Sequence, residues 1–194
     1  MSTELIQHIR QFVTLTDDQA ALIMANVLER DVVKKEMLLN PGAICRANYF
    51  VASGCLRLFF TDEQGNERTI QFAIENWWMT DYTSKDRKVS SQYSIQAVED
   101  SVVISLDDET SEKLFATIPV FETYFRKILQ RAYSASLFRI GLLYSRSKEE
   151  MFFNFQRKYP EFVQRVPQYM LASLLGMTPE YLSELRKKTA SSVS

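Results

Sequence analysis

The first thirty residues contain two stretches in which apolar residues recur at the three- and four-residue spacing of a helix. Leu5, Ile6 and Ile9 mark the first stretch. The second follows Thr16 and Gln19, which have the spacing of a capping box: the threonine side chain accepts from the glutamine backbone, and the glutamine side chain reaches back. We therefore expect two helices, each with one buried face.

A different pattern holds from Asp31 to about Leu106, where short runs rich in Val, Ile, Phe and Tyr are separated by turn residues. Strands of this length and spacing predict an antiparallel sandwich or barrel. The segment Asp62–Asn66 predicts a hairpin loop between two of them. The predicted strand runs are Val32–Leu39, Tyr49–Ser53, Leu56–Phe60, Arg68–Ile74, Tyr93–Ala97 and Val102–Leu106.

Helical spacing returns with a short helix predicted at Glu109–Phe115. Pro119 then suits the first turn of a long helix, from Val120 to about Tyr144, because the N–H that proline lacks has no helical partner there. Two apolar stripes on this helix indicate that it is buried on two faces, one packed within the chain and one packed against a second copy. A helix enclosed within a monomer would show the same pattern. The stripes are Phe121, Phe125, Ile128, Ala132, Ala135 and Leu142, and Tyr124, Leu129, Tyr133, Leu137, Ile140 and Leu143.

A second capping box, Ser147 to Glu150, predicts a helix that ends near Tyr159, and Glu161–Val166 is interpreted as a linker. The segment after it has the pattern of a helix-turn-helix. Its small residue, turn glycine, cap and first-turn proline are Ala172, Gly176, Thr178 and Pro179, with Met177 burying the turn, and its core leucines are Leu171, Leu174, Leu175, Leu182 and Leu185. An ordinary helical hairpin with a glycine turn is the alternative.

A helix that starts at Thr178 would present its first residues to base edges in the DNA major groove, where Glu180 can accept from cytosine N4. Basic residues near its end, and polar residues at the start of the preceding helix, suit phosphate contacts. The candidate DNA-binding residues are Gln168, Tyr169, Thr178, Pro179, Glu180, Tyr181, Ser183, Glu184, Arg186, Lys187 and Lys188.

Charge supports this division of the chain. The net charge of −1 hides a sum of −8 over residues 1–125 and +7 over residues 126–194, and the basic part contains no aspartate. Such a contrast indicates an acidic module joined to one that meets a polyanion, although chance clustering on a solvated surface is an alternative. With 194 residues, no long apolar run and no signal-peptide core, the protein is expected to be soluble and cytoplasmic.

The order of acidic β-roll, long helix and basic helix-turn-helix resembles the Crp/Fnr family of bacterial transcription regulators, which have a sensor domain of the cyclic-nucleotide-binding type. The matching motifs are Asn40-Pro41-Gly42, Tyr49–Gly54 with Leu56–Leu58, Gly65–Glu67 and the helix-turn-helix. The resemblance implies an α+β fold with an N-terminal double-stranded β-helix (jelly roll), a long dimerisation helix, and a helix-turn-helix domain lacking a full wing. The implied domains are 1–118, 119–146 and 147–194.

The resemblance also implies a homodimeric regulator that binds a palindromic site in double-stranded DNA, with RNA polymerase as a further partner and no membrane. Glu180 stands where the family usually carries a base-reading glutamate. Pro179 and Glu184 stand where well-known relatives place arginines, so we expect a different DNA site.

Relatives that bind cyclic nucleotide carry a Gly-Glu pair and then an arginine followed by Ser or Thr and Ala. These positions fall here on Thr80-Asp81 and Ser91-Gln92-Tyr93, without the arginine, while Arg87 and Lys88 come several residues early. Because a buried phosphate without a charged partner is costly, we expect no cAMP bound by the usual contacts, and either an unidentified small-molecule effector or none. The effector-contacting positions carried over are Thr80, Asp81, Ser91, Gln92, Tyr93, Ser134 and Ser136.

No resident cofactor is expected. Iron–sulfur sensors of the family need an N-terminal cysteine cluster, which is absent here, and haem-binding relatives use histidine, whereas the single histidine, His8, precedes the β-roll. The predicted strands contain no histidine, which argues against a cupin-like metal enzyme. A small-molecule-binding or structural dimer with a degenerate helix-turn-helix is the main alternative, given the acidic Glu180 and Glu184. Trp77 and Trp78 could stack on a ligand, but at least one of them is expected in the core.

Overall fold

The computed structural model describes residues 3–145 and 147–191, without the side chains of 138, 142–145 and 189–191. The strands are β1 Leu28–Val32, β2 Met37–Leu39, β3 Ala47–Ser53, β4 Leu56–Thr61, β5 Glu67–Ala73, β6 Trp78–Met79, β7 Ser94–Ala97 and β8 Ser101–Asp107. The helices are α1 Glu4–Arg10, α2 Asp17–Asn26, α3 Tyr82–Arg87, α4 Asp108–Thr117, α5 Pro119–Ser145, α6 Lys148–Lys158, α7 Pro160–Arg165, α8 Gln168–Leu174 and α9 Pro179–Ser191.

The contacts of the chain group it into two compact units. One contains the residues up to Phe60 together with Gln71–Arg131, and the other contains Thr61–Ile70 together with the residues from Ala132 onward. The β4–β5 hairpin and the long helix α5 therefore each contribute to both units. The division into domains 1–118, 119–146 and 147–194 stays a prediction.

The strands form two four-stranded sheets, in the orders β1-β8-β3-β6 and β2-β7-β4-β5. Neighbouring strands pair antiparallel, as in the central β3–β8 pair, where Phe50 lies opposite Ile104 and Val51 opposite Val103. Crossing between sheets along the chain is the pattern of a β-roll, so the predicted α+β jelly-roll fold is confirmed.

Alternation along β3 explains why both faces of its sheet are buried. Tyr49 and Val51 point to the space between the two sheets, where they join a core that includes Leu56, Leu58 and Ile95. The intervening side chains point to the opposite face, against the helices. That second core contains Phe50, Ala52, Trp78, Ile104 and Leu106 from the sheet and Leu5, Ile9, Ile23, Phe121 and Tyr124 from the helices.

The hairpin between β4 and β5 forms where the sequence predicts it. The Asp62 backbone N–H donates to the Asn66 carbonyl at 2.9 Å, and Gly65 adopts φ +82°. A tighter requirement applies to Gly54, which has φ +99° and would place a Cβ 2.1 Å from Oγ of Ser101. Only glycine fits there, because both the backbone angle and the space exclude a side chain.

The start of the first sheet differs from the prediction. β1 begins at Leu28, and the run Val32–Leu39 is not one strand, because the chain turns between β1 and β2. Lys35 takes a left-handed φ of 71°, and the Glu36 N–H donates to the Val33 carbonyl at 3.0 Å. Apolar composition alone does not reveal this turn.

Two short helices were not expected. α3 follows Asp81, and α7 replaces the linker predicted at Glu161–Val166, which was wrong. Pro160 occupies the first turn of α7, and Val163 is buried in the core of the C-terminal helices. Burial of one apolar side chain by neighbouring helices stabilises a helix too short to form alone.

The predicted caps are present at several helix starts. At α2 the Gln19 N–H donates to Oγ1 of Thr16 at 3.2 Å and the glutamine side chain accepts from the Thr16 N–H at 3.1 Å. At α6 the Oγ of Ser147 accepts from the Glu150 N–H at 3.1 Å. α5 begins at Pro119, as predicted. Among the described residues, no helix combines the length and apolar content needed to cross a membrane.

Candidate DNA-binding surface and β-roll site

The turn between α8 and α9 has the hydrogen bonds of a Schellman motif. The Met177 N–H donates to the Ala172 carbonyl at 2.9 Å, and the Gly176 N–H donates to the Ser173 carbonyl at 3.2 Å. Gly176 adopts φ +65°, the left-handed conformation that this motif needs at its glycine. The geometry fixes the angle at which the chain leaves α8, as the sequence predicts for a helix-turn-helix.

The start of α9 is also held by its own side chains. Oγ1 of Thr178 accepts from the Tyr181 N–H at 3.2 Å, and Pro179 is the first helical residue. Thr178 thus satisfies one of the backbone donors that a helix leaves unpaired at its N-terminus.

The helix-turn-helix encloses a core that it shares with α6 and α7. The leucines at its centre are fully enclosed, and Leu174 is partly buried. Met151 and Phe152 come from α6 and Val163 from α7, so α8 and α9 are supported from two further helices. The buried members within the motif are Leu171, Ala172, Leu175, Met177, Leu182 and Leu185.

Eight of the eleven candidate DNA-binding residues are exposed, and these eight define the candidate DNA-binding surface. Ser183 and Arg186 are partly buried. Tyr181 packs partly against the core, so it is not fully outward as the sequence predicts. The exposed members are Gln168, Tyr169, Thr178, Pro179, Glu180, Glu184, Lys187 and Lys188.

Charges on this surface follow the direction of α9. Glu180 lies in its first turn and Lys188 in its later turns, so each side chain has the sign opposite to the partial charge of the nearer helix end. Nζ of Lys188 lies 3.5 Å from Oε1 of Glu149 on α6. Both side chains are solvent-exposed, so this ion pair is weak and leaves the lysine available to a phosphate.

Arg139 also bonds the C-terminal end of α8, beside the turn at Gly176. Its Nη2 donates to the Leu174 carbonyl at 3.2 Å, which is the last carbonyl of that helix. Burial lowers the pKa of the Arg139 guanidinium. A cation at a helix C-terminus both pairs a free carbonyl and opposes the negative end of the helix dipole.

In the β-roll, Asp81 is a buried carboxylate with several donors. Its Oδ1 accepts from the backbone N–H groups of Thr83 at 3.0 Å and Ser84 at 3.1 Å, and its Oδ2 accepts from Oγ of Ser91 at 2.7 Å. Asp81 and Ser91, two of the positions that the family resemblance assigns to effector contacts, therefore bond to each other. This carboxylate also caps α3, which explains why the unexpected helix begins there.

Neighbouring groups extend this polar cluster. Oγ of Ser84 accepts from the Cys45 N–H at 2.9 Å and donates to the Val89 carbonyl at 2.6 Å. Oγ1 of Thr80 donates to the Ala47 carbonyl at 2.9 Å. The cluster therefore ties the loop before β3 to both ends of α3.

The remaining predicted effector positions are placed differently. Tyr93 is partly buried beside the inter-sheet core, and its backbone N–H donates to Oγ of Ser91 at 2.9 Å. Gln92 is exposed, as are Arg87 and Lys88, the nearest cations in the sequence. Ser134 and Ser136 lie on α5, in the compact unit that does not contain Asp81.

Of the two tryptophans, Trp78 is core and Trp77 is exposed. Trp78 packs against Phe50 and Phe125, with ring centroids 5.3 and 4.9 Å away, which confirms a structural role for one of the pair. Among the described residues, no group of three or more His, Cys, Asp or Glu side chains is arranged to hold a metal ion.

Sequence reasoning missed Ser84 and Ser173. The spacing of Asp81 and Ser84 is that of an N-cap and could have indicated α3. Ser173 has no such signal. Its hydroxyl contacts the β4–β5 hairpin, about one hundred residues earlier in the chain.

Comparison with known proteins places this geometry in context. The profile of the cyclic nucleotide-binding domain matches residues 29–117. No curated protein matches the chain with significance.

Several solved structures have the same fold. FixK2 from Bradyrhizobium japonicum superposes with a TM-score of 0.72 at 14% identity, covering 86% of this chain and 85% of that one. CLP from Xanthomonas campestris, a c-di-GMP-responsive global regulator, gives 0.73 at 15% identity, covering 91% and 93%. A Eubacterium rectale protein described as a transcriptional regulator of the Crp/Fnr family gives 0.69 at 17% identity, covering 92% and 85%.

These matches confirm the resemblance noted in the sequence. The matched domain contains all of the strands except Leu28 of β1, and the structural superposition with CLP covers 91% of the chain, so it extends into the C-terminal helices. The chain therefore has a cyclic nucleotide-binding-type domain at residues 29–117 and the fold of the Crp/Fnr transcription regulators.

Proposed function

We propose that the protein is a homodimeric transcription regulator that binds a palindromic site in double-stranded DNA through α9. The observation that carries this proposal is the start of α9: it is fixed by a Schellman turn and a threonine cap, while Thr178, Pro179 and Glu180 stay exposed. A rigid helix end with uncovered polar groups fits the major groove, and the nearby lysines suit phosphates.

Dimerisation is supported by an uncovered apolar stripe on α5. Leu129, Tyr133, Leu137 and Ile140 have exposed fractions of 43%, 66%, 50% and 50% and share one face of the helix. The side chain of Leu143, the last member predicted for this stripe, lies outside the described residues. A second copy of the same helix would cover the stripe, since a two-fold axis pairs a self-complementary surface with itself.

The β-roll supports effector sensing without the usual phosphate contacts. Asp81 and Ser91, the positions expected to face the ribose and the phosphate, are already bonded to each other. Residues 89–93 contain no arginine and Arg87 is exposed, so a cyclic phosphate buried there would lack its usual charged partner. We therefore propose that any effector of the protein is an unidentified small molecule, and that cAMP does not bind through the contacts it makes in the relatives.

The remaining parts of the proposal follow from the fold of known regulators. We place the protein in the cytoplasm, with DNA and a second copy of itself as partners and RNA polymerase as a further partner, and without enzymatic activity. The domain division at residues 118 and 146 belongs to this proposal.

Selection of bound sequences from a random library of duplex DNA tests the function. The expected product is an inverted repeat whose half-site centres lie about 10 base pairs, or one helical turn, apart. Affinity for that site should fall steeply with added salt, because each phosphate contact releases counterions.

Two variants connect the selected site to α9. Glu180→Ala should relax the preference at one base pair in each half-site, whereas Lys187→Ala should weaken all sequences alike and lower the salt slope by about 1. Glu161→Ala, an exposed change on α7, should alter neither property and serves as the control.

The alternative function is a small-molecule-binding or structural dimer whose helix-turn-helix no longer binds DNA. It is favoured by two exposed carboxylates, Glu180 and Glu184, on the surface that would face a polyanion. A stable dimer that selects no sequence, even in dilute salt, would establish this alternative instead.

A further inference from the structure

A single serine side chain joins α8 to the free edge of β5. The Thr69 N–H donates to Oγ of Ser173 at 2.8 Å, and the same hydroxyl donates to the Glu67 carbonyl at 3.1 Å. β5 is the last strand in its sheet order, so these two backbone groups lie on an edge. The Ser173 hydroxyl therefore acts as donor and acceptor in the place where a further strand would pair.

Ser173 also belongs to the turn that sets the direction of α9. Its backbone carbonyl accepts from the Gly176 N–H at 3.2 Å, and the next carbonyl, of Leu174, accepts from Arg139. The last turn of α8 is thus bonded to the hairpin through the Ser173 side chain and to α5 through the Leu174 carbonyl. Movement at Ser173 would be transmitted to Gly176 and then to the start of α9.

The contact leaves the candidate DNA-binding surface uncovered. Thr178, Pro179, Glu180 and Lys187 are exposed while Ser173 is bonded to the hairpin. A contact that covered these residues would compete with DNA. One that fixes the turn while leaving them open removes conformational freedom before DNA binds, and so raises affinity.

We propose that Ser173 is a positioning residue whose hydroxyl clamps the helix-turn-helix to the β4–β5 hairpin in the arrangement that binds DNA. This inference rests on the proposed DNA-binding function. It adds a place at which that function is adjusted, since any change that moves the edge of β5 alters the clamp.

The experiment measures the affinity of the full-length protein for its selected DNA site by fluorescence anisotropy. Ser173→Ala should weaken binding by about tenfold, because it removes the hydroxyl that bonds both the Thr69 N–H and the Glu67 carbonyl in the docked form. Ser173→Thr keeps a hydroxyl and should restore most of the affinity.

Thr117→Val is the control, because its hydroxyl bonds only within exposed α4 and should change nothing. Amide hydrogen exchange at Thr69 should quicken in Ser173→Ala and not in the control. If the wild type binds DNA but Ser173→Ala binds as tightly as it does, the clamp is overturned and the proposed function stands. A wild type that binds no duplex overturns the proposed function, and this inference with it.

Discussion

Nε1 of Trp78 donates a hydrogen bond to the hydroxyl of Tyr124 at 2.7 Å, joining β6 to the long helix α5 inside the apolar core. Because an indole nitrogen can only donate, the tyrosine oxygen is the acceptor. Its own proton is then directed to Nδ1 of His8, 2.8 Å away. The three side chains connect α1, β6 and α5, and burial raises the pKa of the Tyr124 hydroxyl, which keeps it protonated as a donor.

Removing the tyrosine hydroxyl should destabilise the β-roll unit. Tyr124→Phe leaves the Trp78 N–H and the His8 nitrogen buried without their partner, at a cost of about 1–3 kcal/mol in the free energy of unfolding. Urea titration followed by circular dichroism measures this difference. Tyr169→Phe, which removes an exposed hydroxyl on α8, should leave stability unchanged, and equal effects from both variants would contradict the role of the network.

Stability should depend on pH through His8. Burial, together with the nearby charge of Arg131, lowers the pKa of His8 from 6.5 to about 4. Between these values the unfolded chain binds the proton and the folded protein does not, so stability is complete above pH 6.5 and decreases as the pH falls toward 4. The full loss is about 3 kcal/mol, since each unit of pKa corresponds to about 1.4 kcal/mol.

His8→Asn isolates this effect, because the chain contains no other histidine. The lowered pKa values of Asp62 and Asp107 cause loss of stability only near and below their ordinary range of about 4. Unfolding measured between pH 5 and 6.5 should therefore lose most of its pH slope in the variant. A slope equal to that of the wild type would show that His8 has the same pKa in the folded and the unfolded protein.

The buried carboxylate of Asp81 should be important for folding. Asp81→Ala removes the acceptor of two backbone N–H groups and of the Ser91 hydroxyl, and we expect a loss of about 2–4 kcal/mol in the free energy of unfolding. Asp86→Ala, an exposed change on α3, is the matched control. Similar denaturation midpoints for both variants would mean that these hydrogen bonds contribute little.

Cyclic nucleotides should not stabilise the protein. A ligand at one hundred times its Kd adds about 2.7 kcal/mol to the free energy of unfolding, which shifts the thermal midpoint measurably. Because Asp81 already satisfies Ser91, millimolar cAMP should leave the midpoint unchanged. A clear upward shift with cAMP would show that the cluster opens to admit the phosphate.

The apolar stripe on α5 should control assembly. Leu137→Glu places a charge in the centre of the stripe and should convert the dimer to monomers, observed as a halved mass in analytical ultracentrifugation. The control is Ala135→Glu, which adds the same charge at an exposed position on another face of the helix. A Leu137→Glu protein that sediments as the wild type does would place the subunit interface elsewhere.

Local sequence signals determined much of the architecture. The capping box of Thr16, the proline that starts α5 and the Thr178 cap with the glycine turn at Gly176 all appear where predicted. Each depends on residues a few positions apart, so its energetics are contained in the local sequence. The short runs of Val, Ile, Phe and Tyr likewise predicted an antiparallel sandwich or barrel, because a strand buried on one or both faces keeps its apolar composition whatever its partners.

Other features were decided only by the tertiary structure. The break between β1 and β2, the helix α7 and the partial burial of Tyr181 depend on which surfaces meet, and the sequence does not state these. The same holds for the closed pairing of Asp81 with Ser91 and for the contact of Ser173 with Thr69. Ser173 and Thr69 are 104 residues apart in the chain, and Asp81 and Ser91 are 10 residues apart on the two sides of α3. Formation of both bonds depends on the packing of whole elements, which no short segment encodes.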